Sequence, residues 1–338
     1  YLTVGQLWYC RQRKLRLDSE FWARYEDDQS RTVVRGAAAN PPWVVCMRDR
    51  YSVGGFTDFL ASVLSFHAYC TDRHWAFKIF SHGDPTFGKI LLPKTDWVLK
   101  EGELSFSVPD AKVVWLKIIG DIGHRNDAYQ YGYMRRELTG RHAQYHVYSN
   151  FAWDASRFGA SFDELFEMSP ALKADVERFS AVLDADRRGW ISVSARFAEL
   201  LGDFKEPEAW RIQMSPEEQE GLIRSALEQV GRIAMLHPGQ KVLVASDSRR
   251  FLDRAVQAFP DALALPGDIG HVELDKGEAV CHKTVLDFLM IARAAKSYLL
   301  LGSGMYDSGF PKRAAQIGGH ACVVWRFRPD RIRPAIPQ

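Results

Sequence analysis

The sequence predicts an α/β protein built from parallel sheets that are covered by helices. Three observations lead to this fold class. Short apolar, β-branched runs recur along the chain, segments with apolar residues at helical spacing lie between them, and polar loops follow several of the runs directly. Strands that alternate with helices are typical of parallel sheets. The chain has 338 residues, enough for two domains of roughly 150 residues each.

The N-terminal half supplies the first predicted strands and one long helix. Residues 43–47 follow Pro41-Pro42 and form an apolar run, which predicts a buried strand. Residues 59–69 then carry apolar side chains at helical spacing. Further strands are predicted at residues 77–80 and 113–116.

Residues 120–160 are rich in aromatic side chains but have no clear hydrophobic period. We therefore expect irregular structure or short helices there. The aromatic residues of 129–153 are explained equally well by core packing and by a surface that stacks on sugar rings. After this segment, Ser161 with Glu164 predicts a helix that begins with a capping box.

The C-terminal half continues the alternation of strands and helices. Ser215-Pro216 predicts a helix start, because serine is favoured at the N-cap and proline in the first turn. The other predicted elements of this half are strands at residues 190–194, 241–245, 298–301 and 321–325, and helices at residues 171–183, 251–256 and 284–295.

Composition and charge narrow the class of protein. Hydrophobic residues make up 46% and charged residues 25%, which excludes a disordered or collagen-like chain. The formal net charge of +2 gives no general attraction to nucleic acid or to an anionic membrane. No run of about 18 apolar residues exists, so we expect no membrane span in this sequence.

Five widely spaced cysteines without a CxxC pair argue against a zinc site. They favour the cytoplasm, and the secretory or Golgi lumen behind a removed N-terminal anchor is the alternative.

Three loops connect a strand to a helix, where ligands of parallel sheets bind. The first contains Gly54-Gly55, followed by Asp58. Paired glycines allow a close approach of the backbone to a ligand, and a helix start offers free amides to an anion. A tight turn explains the glycines equally well, and stabilisation of the helix N-terminus is an equal explanation for Asp58.

The second loop begins with Arg196, two residues after Ser194. An arginine at the end of a buried strand is unfavourable unless it is paired with an anion, and its guanidinium suits bidentate contact with phosphate. An ion pair with Glu199 or Asp203 is the alternative.

The third loop runs from Gly302-Ser303 to Ser308-Gly309-Phe310 and leads into an apolar helix. Small residues with hydroxyl groups and free amides between a strand and a helix suit a phosphate group. An ordinary turn explains the same residues equally well.

Several common motifs are absent from the sequence. It contains no GxGxxG dinucleotide fingerprint and no GxxxxGK[ST] phosphate loop, which argues against NAD-linked enzymes and P-loop proteins. His142 and His146 have the spacing of metal ligands on a helix, but the glutamate of HExxH is missing. There is also no GxSxG motif, which argues against a hydrolase with a serine nucleophile elbow.

Taken in order, these segments resemble the fucosyltransferases with a GT-B fold, namely the core α-1,6 type, the rhizobial nodulation type and the protein O-fucosyltransferases. The loop Gly54-Gly55-Phe56-Thr57-Asp58 is similar to the glycine-rich loop of the family, and Ser194-Ala195-Arg196 to its HxR signature. The other similar pieces are Val244-Ala245-Ser246-Asp247-Ser248, Asp287-Phe288-Leu289, Gly302-Ser303, Ser308-Gly309-Phe310 and Ala314-Ala315.

The resemblance implies two Rossmann-like domains whose parallel sheets face each other across a cleft. Residues 1–165 would form the acceptor-side domain and residues 166–338 the donor domain. Arg196 would contact the β-phosphate of a GDP-sugar. The rest of the donor site would comprise Ser194, Asp247, Ser303, Ser308, Gly309, Phe310, Gly54 and Gly55. Asp203 or Asp58 would remove the proton of the acceptor, and we prefer Asp203 because it lies closer to Arg196 in the sequence.

The implied activity is that of an inverting, metal-independent glycosyltransferase that transfers fucose from GDP-fucose to a glycan or another hydroxyl acceptor, without a cofactor. The sequence departs from the family at three positions, because Ser194 replaces the histidine of HxR, Phe197 replaces a second arginine and Glu199 replaces an aspartate. Another GDP- or UDP-linked sugar therefore stays open as the donor. A non-catalytic member that binds a glycan or a protein is the other alternative.

Overall fold

The structure is a computed structural model that describes residues 41–52, 54–105, 110–116, 127–205, 214–270, 277–302 and 304–328, together with Ser19 and Ala23. The chain divides into two compact units, Tyr1–Glu167 and Met168–Gln338. The sequence placed the boundary after residue 165. The acceptor and donor roles of the two units, and the cleft between their sheets, stay predictions.

Unit 1 contains a parallel sheet with the strand order β2-β1-β5-β4. Its first strand is buried over nearly its whole length, as expected for a strand in the middle of a parallel sheet. The elements of unit 1 are β1 (Trp43–Arg48), α1 (Phe56–Arg73), β2 (Ala76–Ser81), β3 (Leu91–Pro93), β4 (Ala111–Leu116), α2 (Asp127–Glu137), β5 (Gln144–Ser149), α3 (Phe158–Leu165) and β6 (Phe166–Met168), which ends just past the division.

The strand β5 corrects the prediction of irregular structure for residues 120–160. All of its residues are buried, although Gln144 and His146 make its sequence look polar. The side chain of Gln144 accepts a hydrogen bond from the backbone of Ser105 at 3.0 Å and donates one to the carbonyl of Glu103 at 2.8 Å. Because these partners lie about 40 residues earlier in the chain, the hydrophobic pattern of the segment alone does not reveal a central strand.

The predicted capping box at Ser161 is wrong. Helix α3 already begins at Phe158, and Arg157 occupies its N-cap. Ser161 is therefore a buried residue within the helix. Its sequence spacing to Glu164 fits a capping box, but the preceding turn at Ala155–Arg157 starts the helical conformation earlier.

Unit 2 contains a parallel sheet with the strand order β11-β10-β7-β8-β9. Helix α5 starts as predicted, because Ser215 and Glu218 form a reciprocal capping box. The elements are α4 (Pro170–Leu183), β7 (Trp190–Ala195), α5 (Pro216–Met235), β8 (Lys241–Ser246), α6 (Arg249–Ala258), β9 (Ala262–Leu263), α7 (Glu278–Ala292), β10 (Lys296–Leu301), α8 (Gly309–Ile317) and β11 (Cys322–Arg326).

The strand order of unit 2 reverses between β7 and β10. The chain passes from β7 to β8 and β9 on one side and then returns to β10 and β11 on the other side. Ligands of open α/β sheets bind outside the carboxyl ends of the strands at such a switch point. Arg196 follows β7 directly and Gly302 follows β10, so two of the three predicted loops flank this position. In unit 1 the order reverses in the same way between β1 and β5.

Candidate functional site

Arg196 lies at the switch point of unit 2 with its guanidinium between an acid and two aromatic rings. Its Nε atom is 3.8 Å from Oδ2 of Asp247, and its side chain is 24% exposed. The guanidinium carbon is 5.0 Å from the ring centre of Phe204 and 5.8 Å from that of Tyr306. Arg196 is therefore oriented by its surroundings while a part of its side chain faces solvent.

Asp247 fixes the backbone that follows Arg196. Its carboxylate accepts hydrogen bonds from the N–H groups of Phe197 at 2.9 Å and Ala198 at 2.7 Å. Ala198 has a φ of 53°, a left-handed conformation that is unfavourable for a residue with a Cβ atom. Burial raises the pKa of Asp247 to about 6, although Arg196 and the two N–H groups favour the charged form. The structure thus gives Asp247 a positioning role, and its contact with a donor stays a prediction.

Ser194 places a hydroxyl group next to this turn. The residue is 6% exposed, and its Oγ atom is buried without a hydrogen-bond partner in the described part of the chain. Ser194 lies on β7 two residues before Arg196. A buried hydroxyl without a partner is uncommon, and it suits a ligand that supplies one.

The third loop is tied to Arg196 through its backbone. The N–H of Tyr306 donates to the carbonyl of Arg196 at 3.1 Å, and the N–H of Ser308 donates to the carbonyl of Tyr306 at 2.9 Å. Ser308 is the N-cap of α8, and its Oγ atom accepts a hydrogen bond from the N–H of Phe310 at 3.2 Å. These bonds connect the turn after β7 with the start of α8.

The start of α8 has features of an anion site. A helix N-terminus carries a partial positive charge and free N–H groups. Gly309 is the first residue of the helix, and among the described residues no atom beyond its chain neighbours and its own helix lies within 4 Å of the position that a Cβ would take there. Phe310 packs edge-on against Phe288, with ring centres 5.4 Å apart, and so anchors the helix to α7. Ser303, which the sequence also assigned to the donor site, lies outside the described residues.

Asp203 connects the loop after β7 to the start of α6. Its Oδ2 atom accepts hydrogen bonds from Oγ of Ser248 at 2.7 Å and from the N–H of Arg250 at 3.3 Å. Ser248 is the N-cap of α6 and accepts a bond from the N–H of Phe251 at 3.2 Å. These contacts give Asp203 a structural role, and its role as a base stays a prediction.

The first predicted loop lies in unit 1. Gly54 has a φ of +77°, and a Cβ atom there would lie only 2.7 Å from Cβ of Asp58, so a side chain at this position would be strained. Gly55 is the N-cap of α1, and Asp58 lies in the first turn of the helix, where a carboxylate stabilises the helix N-terminus. The tight turn and the helix start are thus both present, and a donor contact of these residues stays a prediction.

Sequence reasoning missed the two rings that lie against Arg196. Tyr306 belongs to the predicted third loop, and a large aromatic residue among the small residues of that loop was the feature of the sequence that could have indicated its role. No feature of the sequence around Phe204 indicated that its ring would lie against Arg196. Phe197, which replaces an arginine of the family, is fully buried and packs on Phe251 with ring centres 5.1 Å apart, so this departure adds a core residue.

The part of the chain that the structure describes contains neither a metal-ligand cluster nor a membrane-spanning helix. There, no three histidine, cysteine, aspartate or glutamate side chains are arranged to hold a metal ion. Among the same residues, no helix has the length and apolar character needed to cross a membrane.

No protein-family model matches this sequence. No curated protein matches it either. Solved structures do show the same architecture. The NodZ α-1,6-fucosyltransferase soaked with GDP-fucose has a TM-score of 0.54 at 16% identity, over 88% of this chain and 97% of that chain.

Two more structures agree with this result. The fucosyltransferase NodZ from Bradyrhizobium has a TM-score of 0.53 at 17% identity, over 86% of this chain and 97% of that chain. A variant of FUT1 from Arabidopsis thaliana in complex with GDP has a TM-score of 0.54 at 13% identity, over 94% of this chain and 79% of that chain. The predicted α/β class with parallel sheets is confirmed, and the chain has the GT-B-type fold of the fucosyltransferases.

Proposed function

We propose that this protein is a glycosyltransferase that transfers fucose from GDP-fucose to a hydroxyl group of a glycan or another acceptor. The observation that carries the proposal is the position of Arg196 and the α8 N-terminus on either side of the switch point in unit 2. The similarity of the fold to fucosyltransferases that were crystallised with GDP or GDP-fucose supports it.

In this proposal the nucleoside diphosphate binds at the carboxyl ends of β7 and β10. The guanidinium of Arg196 and the N–H groups at the start of α8 stabilise the negative charge that develops on the β-phosphate when the bond to the sugar breaks. Asp247 and the ring of Tyr306 keep Arg196 oriented. The positive charge for the leaving group thus comes from the protein, and we propose a reaction that needs neither a metal ion nor a cofactor.

The acceptor hydroxyl attacks the anomeric carbon from the face opposite to the leaving phosphate, so the configuration inverts. A carboxylate takes the proton of this hydroxyl during the attack. We keep Asp203 as the first candidate for this base and Asp58 as the second. Among the described residues, the two hydrogen bonds that Asp203 accepts both go to its Oδ2 atom. The cytoplasmic location stays part of the proposal.

Calorimetric titration of the full chain with GDP, UDP and NAD, with and without EDTA, tests the donor site. We expect selective GDP binding that survives EDTA. The variant Arg196→Ala should bind GDP roughly 10- to 150-fold more weakly, because a hydrogen bond to a charged group contributes about 1.5–3 kcal/mol. Arg178→Ala is the matched control, since Arg178 belongs to the same unit and is ion-paired with Asp175, with a side chain that is 60% exposed.

The titration also separates the alternatives. A preference for UDP would keep the fold and change the donor. Unchanged GDP affinity in Arg196→Ala would contradict the assigned phosphate site. The absence of binding to any nucleotide would favour a non-catalytic protein that binds a glycan or a protein partner.

A further inference from the structure

Unit 1 contains a cavity that lies apart from the predicted donor residues and includes Tyr131 and Trp153 of the aromatic segment 129–153. Its volume is about 400 Å³, within the range of about 300–1,000 Å³ that is typical of small-molecule sites. It is lined by three aromatic residues, Tyr69, Tyr131 and Trp153, and by three charged residues, Asp72, Asp154 and Arg157. Tyr69 lies roughly 20 Å along α1 from the Gly54-Gly55 turn, because a helix rises about 1.5 Å per residue.

The three aromatic rings form one wall of the cavity. The ring centres of Tyr69 and Tyr131 are 6.2 Å apart, those of Tyr131 and Trp153 are 6.1 Å apart, and both pairs meet edge to face. Tyr69 and Trp153 are buried, whereas Tyr131 on α2 is half-buried. A ligand can therefore contact the ring of Tyr131 over a larger area than the buried rings of Tyr69 and Trp153.

The hydroxyl group of Tyr69 is not satisfied by the protein. Tyr69 is only 2% exposed, and its hydroxyl group is buried and has no hydrogen-bond partner in the described part of the chain. Burial raises the pKa of Tyr69 to about 12, so the hydroxyl stays protonated at physiological pH. Buried polar atoms nearly always have a partner, and a hydroxyl group of a bound ligand would provide one here.

The charges around the cavity are of both signs, and the carboxylates of Asp72 and Asp154 disfavour an anion. Arg157 and Asp72 neutralise each other in an ion pair of 2.8 Å at the rim. The guanidinium groups of Arg73 and Arg135 lie 4.7 and 5.8 Å from the ring centres of the two tyrosines. Because cations of the protein already occupy the tyrosine rings, a cationic ligand would be repelled. An uncharged ligand with hydroxyl groups and an apolar face fits these walls.

We propose that this cavity between α1, α2 and the turn at Ala155–Arg157 binds an uncharged sugar residue. The apolar face of the sugar lies against Tyr131 and Trp153, one of its hydroxyl groups pairs with the hydroxyl of Tyr69, and others reach the charged rim. The site is distinct from the donor site in unit 2. The proposal holds whether or not the protein transfers fucose.

Saturation-transfer NMR of the full chain tests this site. The probes are methyl α-L-fucoside, methyl β-D-glucoside, methyl β-D-galactoside, methyl α-D-mannoside and N-acetylglucosamine, with tetramethylammonium as a cationic probe. We expect at least one sugar to bind, and Tyr131→Ala to weaken that binding about tenfold through the loss of ring contact. Tyr133→Ala is the matched control, because Tyr133 is a half-buried tyrosine on the same helix that does not line the cavity. Arg196→Ala should leave sugar binding unchanged.

Tyr69→Phe keeps the test valid if Tyr131→Ala does not fold. This variant removes only the hydroxyl group, so the protein should be as stable as the wild type or more stable, while sugar affinity falls severalfold. Three results would overturn the proposal: no probe sugar binds, sugar binding is unaffected by both tyrosine variants, or tetramethylammonium binds and no sugar does. Failure of GDP binding would not affect any of these results, so the two proposals are tested separately.

Discussion

Each unit carries an arginine at the end of its first strand, and the two arginines have different surroundings. Arg48 ends β1 and is 4% exposed, with its Nε atom 2.8 Å from Oδ2 of Asp84 and its Nη1 atom donating to the carbonyl of Gly54 at 3.2 Å. Arg196 follows β7, its side chain is 24% exposed, and Asp247 is 3.8 Å away. Both positions are switch points of their sheets.

The acids account for the difference. Asp84 is buried, directly pairs with Arg48 and also accepts a hydrogen bond from the N–H of Thr86 at 2.9 Å. Asp247 instead accepts its shortest hydrogen bonds from backbone N–H groups, and Arg196 lies at a longer distance from it. The arginine of unit 1 is therefore a part of the fold, whereas that of unit 2 keeps a partly exposed side chain, and its contact with an anion stays a prediction.

The first prediction tests this contrast through stability. Arg48→Ala leaves Asp84 as a buried, unpaired charge, so the free energy of unfolding of unit 1 should fall by about 3–5 kcal/mol. Arg196→Ala should lower the free energy of unfolding much less, because this pair is longer and the buried carboxylate of Asp247 keeps its hydrogen bonds from two backbone N–H groups. Urea unfolding of both variants measures the two effects.

A double variant provides the control. Replacing both charges, as in Arg48→Met with Asp84→Leu, should restore most of the lost stability, because no unpaired charge stays buried. Equal losses of stability in Arg48→Ala and Arg196→Ala would show that the two arginines have the same role, and the comparison would fail.

The second prediction concerns the acid that holds Arg196. An ordinary aspartate has a pKa of 3.8, and burial raises that of Asp247 to about 6. Between these values the folded state binds the proton more tightly than the unfolded state, so the free energy of unfolding falls as the pH rises from about 4 to about 6. A shift of about two pH units corresponds to roughly 3 kcal/mol.

Urea unfolding of the wild type and Asp247→Asn at several pH values across this window checks the effect. The contributions of other titrating groups cancel in the difference between the two proteins. We expect the stability of the wild type relative to the variant to be highest at the acidic end and to decline towards neutral pH. Parallel pH profiles would mean that Asp247 ionises as an ordinary aspartate.

Local patterns in the sequence were sufficient for most of the fold. The helix start at Ser215-Pro216 and the apolar run of β7 depend on neighbouring residues alone, and both are present as predicted. The strand β5 was missed because Gln144 satisfies its polar groups through partners that are distant in the sequence. The helix start at Phe158 was missed because an earlier turn, rather than the best capping residue, begins the helix.

In the candidate site, too, contacts between residues that are distant in the sequence could not be predicted. Arg196 was found because a charged residue at the end of an apolar strand is visible in the sequence. The pairing of Asp247 with the N–H groups of Phe197 and Ala198 was not visible, since it depends on two strands lying side by side. The cavity around Tyr69 was likewise hidden, because it combines residues from α1, α2 and the turn after β5.

The smallest predicted effect compares the glycine turns of the two units. Gly54 and Gly304 have similar φ values of +77° and +79°, but a Cβ at Gly54 would lie 2.7 Å from Cβ of Asp58, whereas one at Gly304 would lie 3.6 Å from Leu200. The left-handed conformation alone costs an alanine about 1–2 kcal/mol. Gly304→Ala should lower the free energy of unfolding by about that amount. Gly54→Ala should lower it further, because the first turn of α1 must move to make room.

Urea unfolding of the two alanine variants, together with Gly54→Ala in an Asp58→Gly background, separates the two contributions. Removing the Asp58 side chain should bring the effect of Gly54→Ala close to that of Gly304→Ala, since only the backbone term then remains. If the loss at Gly54 persists in that background, the contact with Asp58 is not its cause, and the turn of unit 1 is no more tightly packed than the loop that carries the proposed donor site.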